Sequence, residues 1–455
     1  MCSSSTKRPD IIYFHSHDTG RYVSPYGYPV LTPNYQRIAE EGVVFRQAFC
    51  AAPTCSPSRA ALLTGQTPHA AGMLGLAHRG FKLNDPTQHL ATTLRDNGYR
   101  TMLAGLQHVI VGDPRDLGYT EVADQSAREC DDVASAAVAM IESAADSDNP
   151  FFLDAGFFET HRVYPEVDES QARYVRPPAP IPDSPATRLD TARYNESARR
   201  LDAALGRVLD TLERQCLVDS TIVIVTTDHG LAFPYMKCNL TDHGTGVLLI
   251  MRGPEGLTGG RVIDSLVSQI DLFPTLCAVL HIERPDWLTG TSLLPIIDGS
   301  REQVNEAVFA EVTFHAAYEP QRMVRTHEWT YIRRFGERRL PVLPNCDDGE
   351  SRDFLGEHGW AEMPIPFEQL YNNLLDPTQC NNRIDDPAVA EPRDEMKHRL
   401  QRWMQETNDP LLAGSVALPV GGRVNDPDSP SFLEPLIEAM PDGTVRTLEN
   451  PRTLR

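Results

Sequence analysis

The sequence predicts an α/β protein: a large, mostly parallel or mixed sheet sandwiched by helices, then a smaller C-terminal α+β subdomain with an antiparallel sheet. Three observations point there. Short apolar runs alternate with amphipathic stretches over the first two-thirds of the 455 residues. Those runs are nearly continuous in hydrophobicity, as strands covered on both faces are. The last third changes to alternating and proline-rich stretches.

Taken in order, the strand candidates are residues 11–15, 101–104, 151–157, 221–227, 246–251 and 307–312. Between them lie helix candidates at 34–41, behind Thr32-Pro33, and at 89–97, stopped by Gly98. Longer ones follow at 131–145 and 194–216; in the latter Leu201, Leu205, Val208, Leu209 and Leu212 mark one face. Residues 322–334 alternate as antiparallel strands do. Residues 341–366, rich in Pro, Asp and Gly, read as a long loop. Residues 395–406 read as a helix with Met396, Leu400 and Trp403 inward, and 410–455 as an extended tail. The expected division is 1–317 and 318–455.

Forty-two Lys and Arg oppose 63 Asp and Glu, a net charge of −21. Such a field repels nucleic acid and anionic membranes but leaves room for a small anion at a locally positive site. No apolar run approaches the length that spans a bilayer. The nine cysteines are odd in number and lack metal-type spacing, which reads as free thiols in a reducing compartment. The expectation is a cytoplasmic protein without nucleic-acid or membrane partners; oligomeric state is not set by these features.

The sharpest motif is Cys55-Ser56-Pro57-Ser58-Arg59, followed by Ala60-Ala61-Leu62-Leu63-Thr64-Gly65. A helix beginning here would offer its N–H groups and dipole to an anion. His17-Asp18 follows the first strand and Asp228-His229 follows the strand at 221–227. Both pairs therefore stand at C-terminal strand ends, where open α/β sheets bind ligands. Read singly, each has a plain alternative: a buried helix-start cysteine, or ordinary polar residues at a strand end.

Together they resemble the formylglycine-dependent sulfatases of the alkaline phosphatase superfamily, whose signature is Cys-x-Pro-x-Arg and a helix ending in Leu-Thr-Gly. The resemblance runs from Arg8 to about Pro410 and implies that family's fold. It implies that a formylglycine-generating enzyme oxidises Cys55 to an aldehyde. The hydrate carries two geminal hydroxyls, one to attack sulfur and one to expel sulfate afterwards. It implies that Asp18, Asp228, His229, His17 and the Cys55-derived residue hold one divalent metal, and that Arg59 steadies the nucleophile. His17 stands where the family has a second aspartate. With His229 it makes a mixed nitrogen and oxygen shell, so Mn²⁺ joins Ca²⁺ as a candidate. By the same resemblance, His108 and His161 contact sulfate oxygens or protonate the leaving group, and Lys237 sits by the leaving atom. The family lysine two residues before His108 is Leu106 here; Arg21, Arg79 and Arg162 offer themselves as substitutes.

Residues 51–76 and 228–254 look most like the heparan N-sulfatase (sulfamidase)-like bacterial sulfatases. The function implied is hydrolysis of a sulfate ester or sulfamate of a small anionic, sulfated-sugar substrate, with 1–317 as the catalytic domain. A phosphodiesterase or phosphonate monoester hydrolase would use the same nucleophile and is the alternative. A non-catalytic anion-binding protein is the third reading; turnover on any sulfated substrate separates it.

Overall fold

The computed structural model describes residues 8–126 and 128–449. Its centre is an eight-stranded sheet built from β1 (Asp10–Ser16), β2 (Val43–Phe45), β3 (Arg100–Gly105), β4 (Glu121–Val122), β5 (Phe151–Gly156), β6 (Thr221–Thr227), β7 (Leu249–Arg252) and β8 (Arg261–Ile263). The spatial order is β4-β3-β5-β1-β6-β7-β2-β8. The first five run parallel, and β7 is antiparallel to both β6 and β2.

The period-two geometry of a strand splits the core in two. On β1, Ile11 and Tyr13 join one cluster, with Ala60 and Leu62 of α2 (Cys55–Thr64) and Leu90 and Leu94 of α3 (Leu90–Asp96). Ile12 and Phe14 join the other, with Ile38 of α1 (Pro33–Glu41), Val133 and Ala137 of α4 (Cys130–Ala144) and Leu201, Leu205 and Leu209 of α5 (Pro185–Arg214). On β6, Ile222 and Ile224 divide from Val223 and Val225 in the same way. Helices thus cover both faces, which is why these strands read as continuous apolar runs.

Four expectations change. The strand at 307–312 is real, but as β9 (Val308–Phe314) it opens the antiparallel sheet with β10 (Tyr318–Arg325), β11 (Trp329–Arg334) and β12 (Glu368–Asn372). Residues 341–366 are more than a loop, because they hold α6 (Glu350–Glu357). Residues 410–455 are more than an extended tail, because Arg423–Asn425, Leu436–Ala439 and Val445–Leu448 pair into a small sheet. Helix α5 starts nine residues before the predicted 194, at a Ser184 capping box with Pro185 in the first turn.

The antiparallel sheet is bonded to loops around the motif helix. Glu311 N–H donates to Ala51 O at 2.9 Å, Phe314 N–H to Leu74 O at 3.0 Å, and Gln321 Nε2 to Cys238 O at 2.8 Å. No helix among the described residues is long and apolar enough to cross a membrane.

Candidate active site

Strands β1 and β6 are paired in register with Ser16 beside Thr227. Their next residues, His17-Asp18 and Asp228-His229, therefore leave the sheet side by side. Asp18 turns into the left-handed region (φ 53). Its N–H and that of His229 both donate to Asp228 Oδ1 at 2.9 Å.

Helix α2 points its N-terminus at this pair, and all ten of its residues are buried. Its C-cap Gly65 (φ 65) closes on Ala61 O; a Cβ there would meet Leu288 Cδ2 at 2.5 Å. That close approach explains the glycine ending the motif. Ser58 Oγ donates to Asp228 O at 2.6 Å, which locks helix to strand end. Arg59 Nη2 donates to Ser16 O at 2.8 Å and to Asp228 Oδ2 at 3.0 Å, and Nη1 donates to His15 Nδ1. Behind it, His15 Nε2 meets Asp154 Oδ1 at 2.7 Å, and the Tyr119 hydroxyl donates to Asp154 Oδ2 at 2.5 Å. A carboxylate can only accept, so His15 carries its proton on Nε2 and leaves Nδ1 bare for Arg59. Burial, with Arg59 adding to it, lowers the His15 pKa and keeps the ring neutral.

The centre of the cluster is acceptor facing acceptor. His229 Nδ1–H donates to Gly230 O at 2.9 Å, so in the neutral ring Nε2 is a bare lone pair. That Nε2 lies 3.2 Å from Asp18 Oδ1, 3.7 Å from Asp228 Oδ2 and 3.4 Å from Cys55 Sγ. His17 Nδ1 lies 3.1 Å from Asp228 Oδ2, yet neither His17 nitrogen nor Asp18 Oδ1 makes a hydrogen bond among the described residues. Burial first, then Arg59, holds His17 down at about 3, the neutral form that can ligate. Burial disfavours a charged Asp228, yet the Arg59 guanidinium beside it helps keep it well below the usual carboxylate range. Ligand atoms of His17, Asp18, Cys55 and Asp228 fall within 4.8 Å of one another. The His17 nitrogens and Asp18 Oδ1, buried and without a hydrogen bond beside two carboxylates and the bare His229 Nε2, fit a divalent cation, and these residues suit one.

The opposite side is cationic. Lys237 Nζ lies 3.1 Å from Asp18 Oδ2, 3.0 Å from Asp347 Oδ2 and 3.4 Å from His161 Nε2. Burial opposes its charge, but Asp18 and Asp347 hold its pKa well above the ordinary value. His161 Nδ1–H donates to Arg162 O at 2.6 Å, leaving Nε2 as the acceptor that faces Lys237. His108 (φ 55) lies tilted against His17, with ring centroids 5.6 Å apart, and meets His78 Nδ1 at 3.1 Å through Nε2. Burial, then His17 and His78, push His108 well below its ordinary pKa. The buried Cys55 thiol is raised well above its ordinary value, again by burial first. As a plain thiol it is a poor nucleophile.

Every residue expected from sequence thus gathers here: His17, Asp18, Cys55, Arg59, His108, His161, Asp228, His229 and Lys237. The proposed stand-ins for the missing lysine do not. Arg162 is held by both oxygens of Asp190 at 2.7 Å, Arg79 by Ala316 O and Asn425 Oδ1, and Arg21 by Ala48 O over the Phe49 ring. Each is spent on packing. Sequence reasoning missed Asp347, His78 and the His15–Asp154–Tyr119 support. Only the last left a trace, a polar residue (Asp154) inside an otherwise apolar strand.

A parallel-centred sheet with helices on both faces, a carboxylate–imidazole cluster at its strand ends and a Cys-x-Pro-x-Arg helix aimed at that cluster make up an alkaline phosphatase-like fold. The Sulfatase family model matches residues 9–282, and the chain belongs to that family. It is a sulfuric ester hydrolase, cleaving sulfate esters or sulfamates. A second model, N-sulphoglucosamine sulphohydrolase, C-terminal, matches residues 230–340. The human N-sulphoglucosamine sulphohydrolase is 28% identical over 445 residues, covering 84% of this chain and 87% of that protein. An ulvan-active sulfatase of Formosa agariphila is 26% identical over 440 residues, covering 92% and 84%. A solved structure in complex with its substrate D-glucosamine-2-N,6-O-disulfate superposes with TM-score 0.69 at 17% identity, covering 89% of this chain and 99% of that one.

Proposed function

We propose that the substrate is a sulfated sugar, that Cys55 is the residue converted to formylglycine, and that His17, Asp18, Asp228 and His229 hold one divalent metal. The observation that carries this is the convergence of buried acceptors beside Cys55 Sγ, of which both His17 nitrogens and Asp18 Oδ1 meet no donor among the described residues. The two relatives named above, both sulfatases, support the sugar reading. When bound, the metal supplies Lewis-acid polarisation of a sulfate oxygen and of the nucleophile. When formed, formylglycine supplies a hydroxyl nucleophile that the inert thiol lacks. Two bare imidazoles beside two carboxylates suit Mn²⁺ better than Ca²⁺.

The chain's own residues do the rest. Arg59, fixed by Ser16, His15 and Asp228, keeps position 55 aligned and offsets charge. The α2 N-terminus faces the anion. His108 Nδ1, buried and without a hydrogen bond, faces the sulfate oxygens. Lys237 presents N–H to the leaving oxygen or nitrogen, where charge grows as the bond to sulfur breaks.

Mass spectrometry of the alkylated tryptic peptide 47–59 tests the nucleophile, with Cys50 as internal control. Aldehyde at position 55 beside alkylated Cys50, after co-expression with a formylglycine-generating enzyme, is expected; two alkylated cysteines would refute the assignment. Sulfate release from N-sulfoglucosamine and O-sulfated sugars should exceed turnover of an aryl phosphate diester. The reverse order would favour the phosphodiesterase reading, which Asp228-His229 suggests.

A further inference from the structure

Asp347 touches the site from a segment outside the sulfatase signature and outside both family matches. It lies between Asn345 and helix α6, and that segment is pinned on both sides. Asn345 Oδ1 accepts from Ala317 N–H at 2.8 Å, and Asn345 Nδ2 donates to Glu319 Oε2 at 2.8 Å. Beyond it, Asp348 pairs with Arg352 and accepts from Ser431 Oγ at 3.2 Å. On this clamp, Asp347 Oδ2 stands 3.0 Å from Lys237 Nζ.

An ammonium has three N–H bonds on a flexible four-carbon stem, so its aim depends on what holds them. Asp18 Oδ2 accepts one at 3.1 Å and the bare His161 Nε2 a second at 3.4 Å. Asp347 Oδ2 stands nearest, 3.0 Å from Nζ, as an ion-pair partner outside hydrogen-bond geometry. Two short ion pairs thus fix the ammonium, and the N–H that neither Asp18 nor His161 takes is the one left for the leaving atom.

We propose that Asp347 is a positioning residue, supplied by the C-terminal part of the chain, which aims Lys237 at the leaving oxygen or nitrogen and so adapts the enzyme to poor leaving groups. This rests on the placement of Lys237 by the leaving atom given above. A donor aimed at that atom matters most where the departing group keeps most negative charge, as a sugar alcohol or amine does. It matters little for a nitrophenolate, which spreads the charge over its ring.

The test compares kcat and KM of the converted, metal-loaded enzyme on 4-nitrophenyl sulfate, phenyl sulfate and an alkyl sulfate. Asp347→Asn keeps the shape and removes the charge. On the alkyl sulfate its kcat should fall by about 10²-fold, within the 10²–10⁴ span typical of such assistance. On 4-nitrophenyl sulfate the fall should be under about 10-fold, with KM little changed. Asp347→Glu should recover part of the loss, and Asp347→Asn on a Lys237→Ala background should add almost nothing. Equal loss on all three substrates would overturn the proposal, as would additive losses in the double variant. Should Asp347→Asn not fold, Asp347→Ser carries the same comparison. If Lys237→Ala itself shows no leaving-group dependence, the placement of Lys237 fails, and the proposal falls with it by a separate signature.

Discussion

Asp154→Asn probes how far the site depends on groups that never touch substrate. Asp154 is fully buried in β5 and accepts from His15 Nε2 at 2.7 Å and from the Tyr119 hydroxyl at 2.5 Å. Hydrogen bonds to a charged group contribute about 1.5–3 kcal/mol each, against about 1 for neutral pairs. Asparagine keeps the shape but offers one acceptor and one donor. If its oxygen faces His15, its amide meets Tyr119, which can turn and accept. If its amide faces His15, the ring must accept at Nε2 and carry its proton on Nδ1, against the Arg59 donor. The protein takes the first arrangement and exchanges two charge-assisted bonds for two neutral ones. We expect a loss of about 1–4 kcal/mol in urea unfolding. The kcat on any sulfate should fall by about 10-fold, because 1.4 kcal/mol of misalignment suffices for that. Tyr119→Phe should cost less than Asp154→Asn, about 1–3 kcal/mol, and the two should be non-additive because they share one carboxylate. A loss under about 0.5 kcal/mol for Asp154→Asn, or full additivity with Tyr119→Phe, would refute the relay from Tyr119 to Arg59.

Three further outcomes follow from the same structure. Metal analysis of protein purified without added ions should find a transition metal, and His17→Ala should weaken Mn²⁺ binding by calorimetry; pure Ca²⁺ content would reject the two-imidazole shell. Arg322, fully buried, binds both oxygens of Asp409, Glu311 Oε2 at 3.1 Å and Val312 O at 2.9 Å, so Arg322→Met should cost about 3–5 kcal/mol in chemical unfolding by stranding two carboxylates. Glu311 is held at about 2, against burial, by His69 and Arg322, while Glu311 raises His69 above 6.5 against burial. The Glu311 contribution is full above about 4.5 and is lost as pH falls through 2; that of His69 is full below 6.5 and is lost as pH rises through its raised value. Wild-type stability minus that of Glu311→Gln should therefore be greatest between about pH 4.5 and 6.5, and a flat difference would contradict the pairing.

The sheet was legible where burial is complete. Strand β6 matches the predicted 221–227 because its seven residues are all buried, so the apolar run and the strand end together. Helix α5 was only half legible. Its first turns carry Arg188, Asp190 and Arg193, whose partners Asp183, Arg162 and Glu350 lie elsewhere, so no apolar stripe marks them. The small C-terminal sheet was illegible for a different reason. Strands of three or four residues with exposed positions leave no period to count. In the site, residues within motifs were found and residues supplied by tertiary approach were not. His78 and Asp347 have nothing around them in sequence that separates them from surface residues.

The charge of the assembled site gives a reason for its departures from the family pattern. Facing the reaction centre among the described residues are three carboxylates, Asp18, Asp228 and Asp347, and two permanent cations, Arg59 and Lys237. Burial holds the facing imidazoles of His17 and His108 neutral. Alone, this set carries an excess negative charge and would repel a sulfate. A divalent metal held by His17, Asp18, Asp228 and His229, as proposed above, would turn the excess positive by one, which matches the single charge of a sulfate monoester or sulfamate. A retained lysine at position 106 would have raised that to two, the charge of a phosphate monoester. On that charge count, leucine at 106, together with Asp347 behind Lys237, would tune the pocket toward a singly charged reacting group. Leu106→Lys should therefore narrow the preference for sulfate over phosphate monoesters, measured as the ratio of kcat/KM on the two 4-nitrophenyl esters. An unchanged ratio would show that cation count is not what selects the substrate.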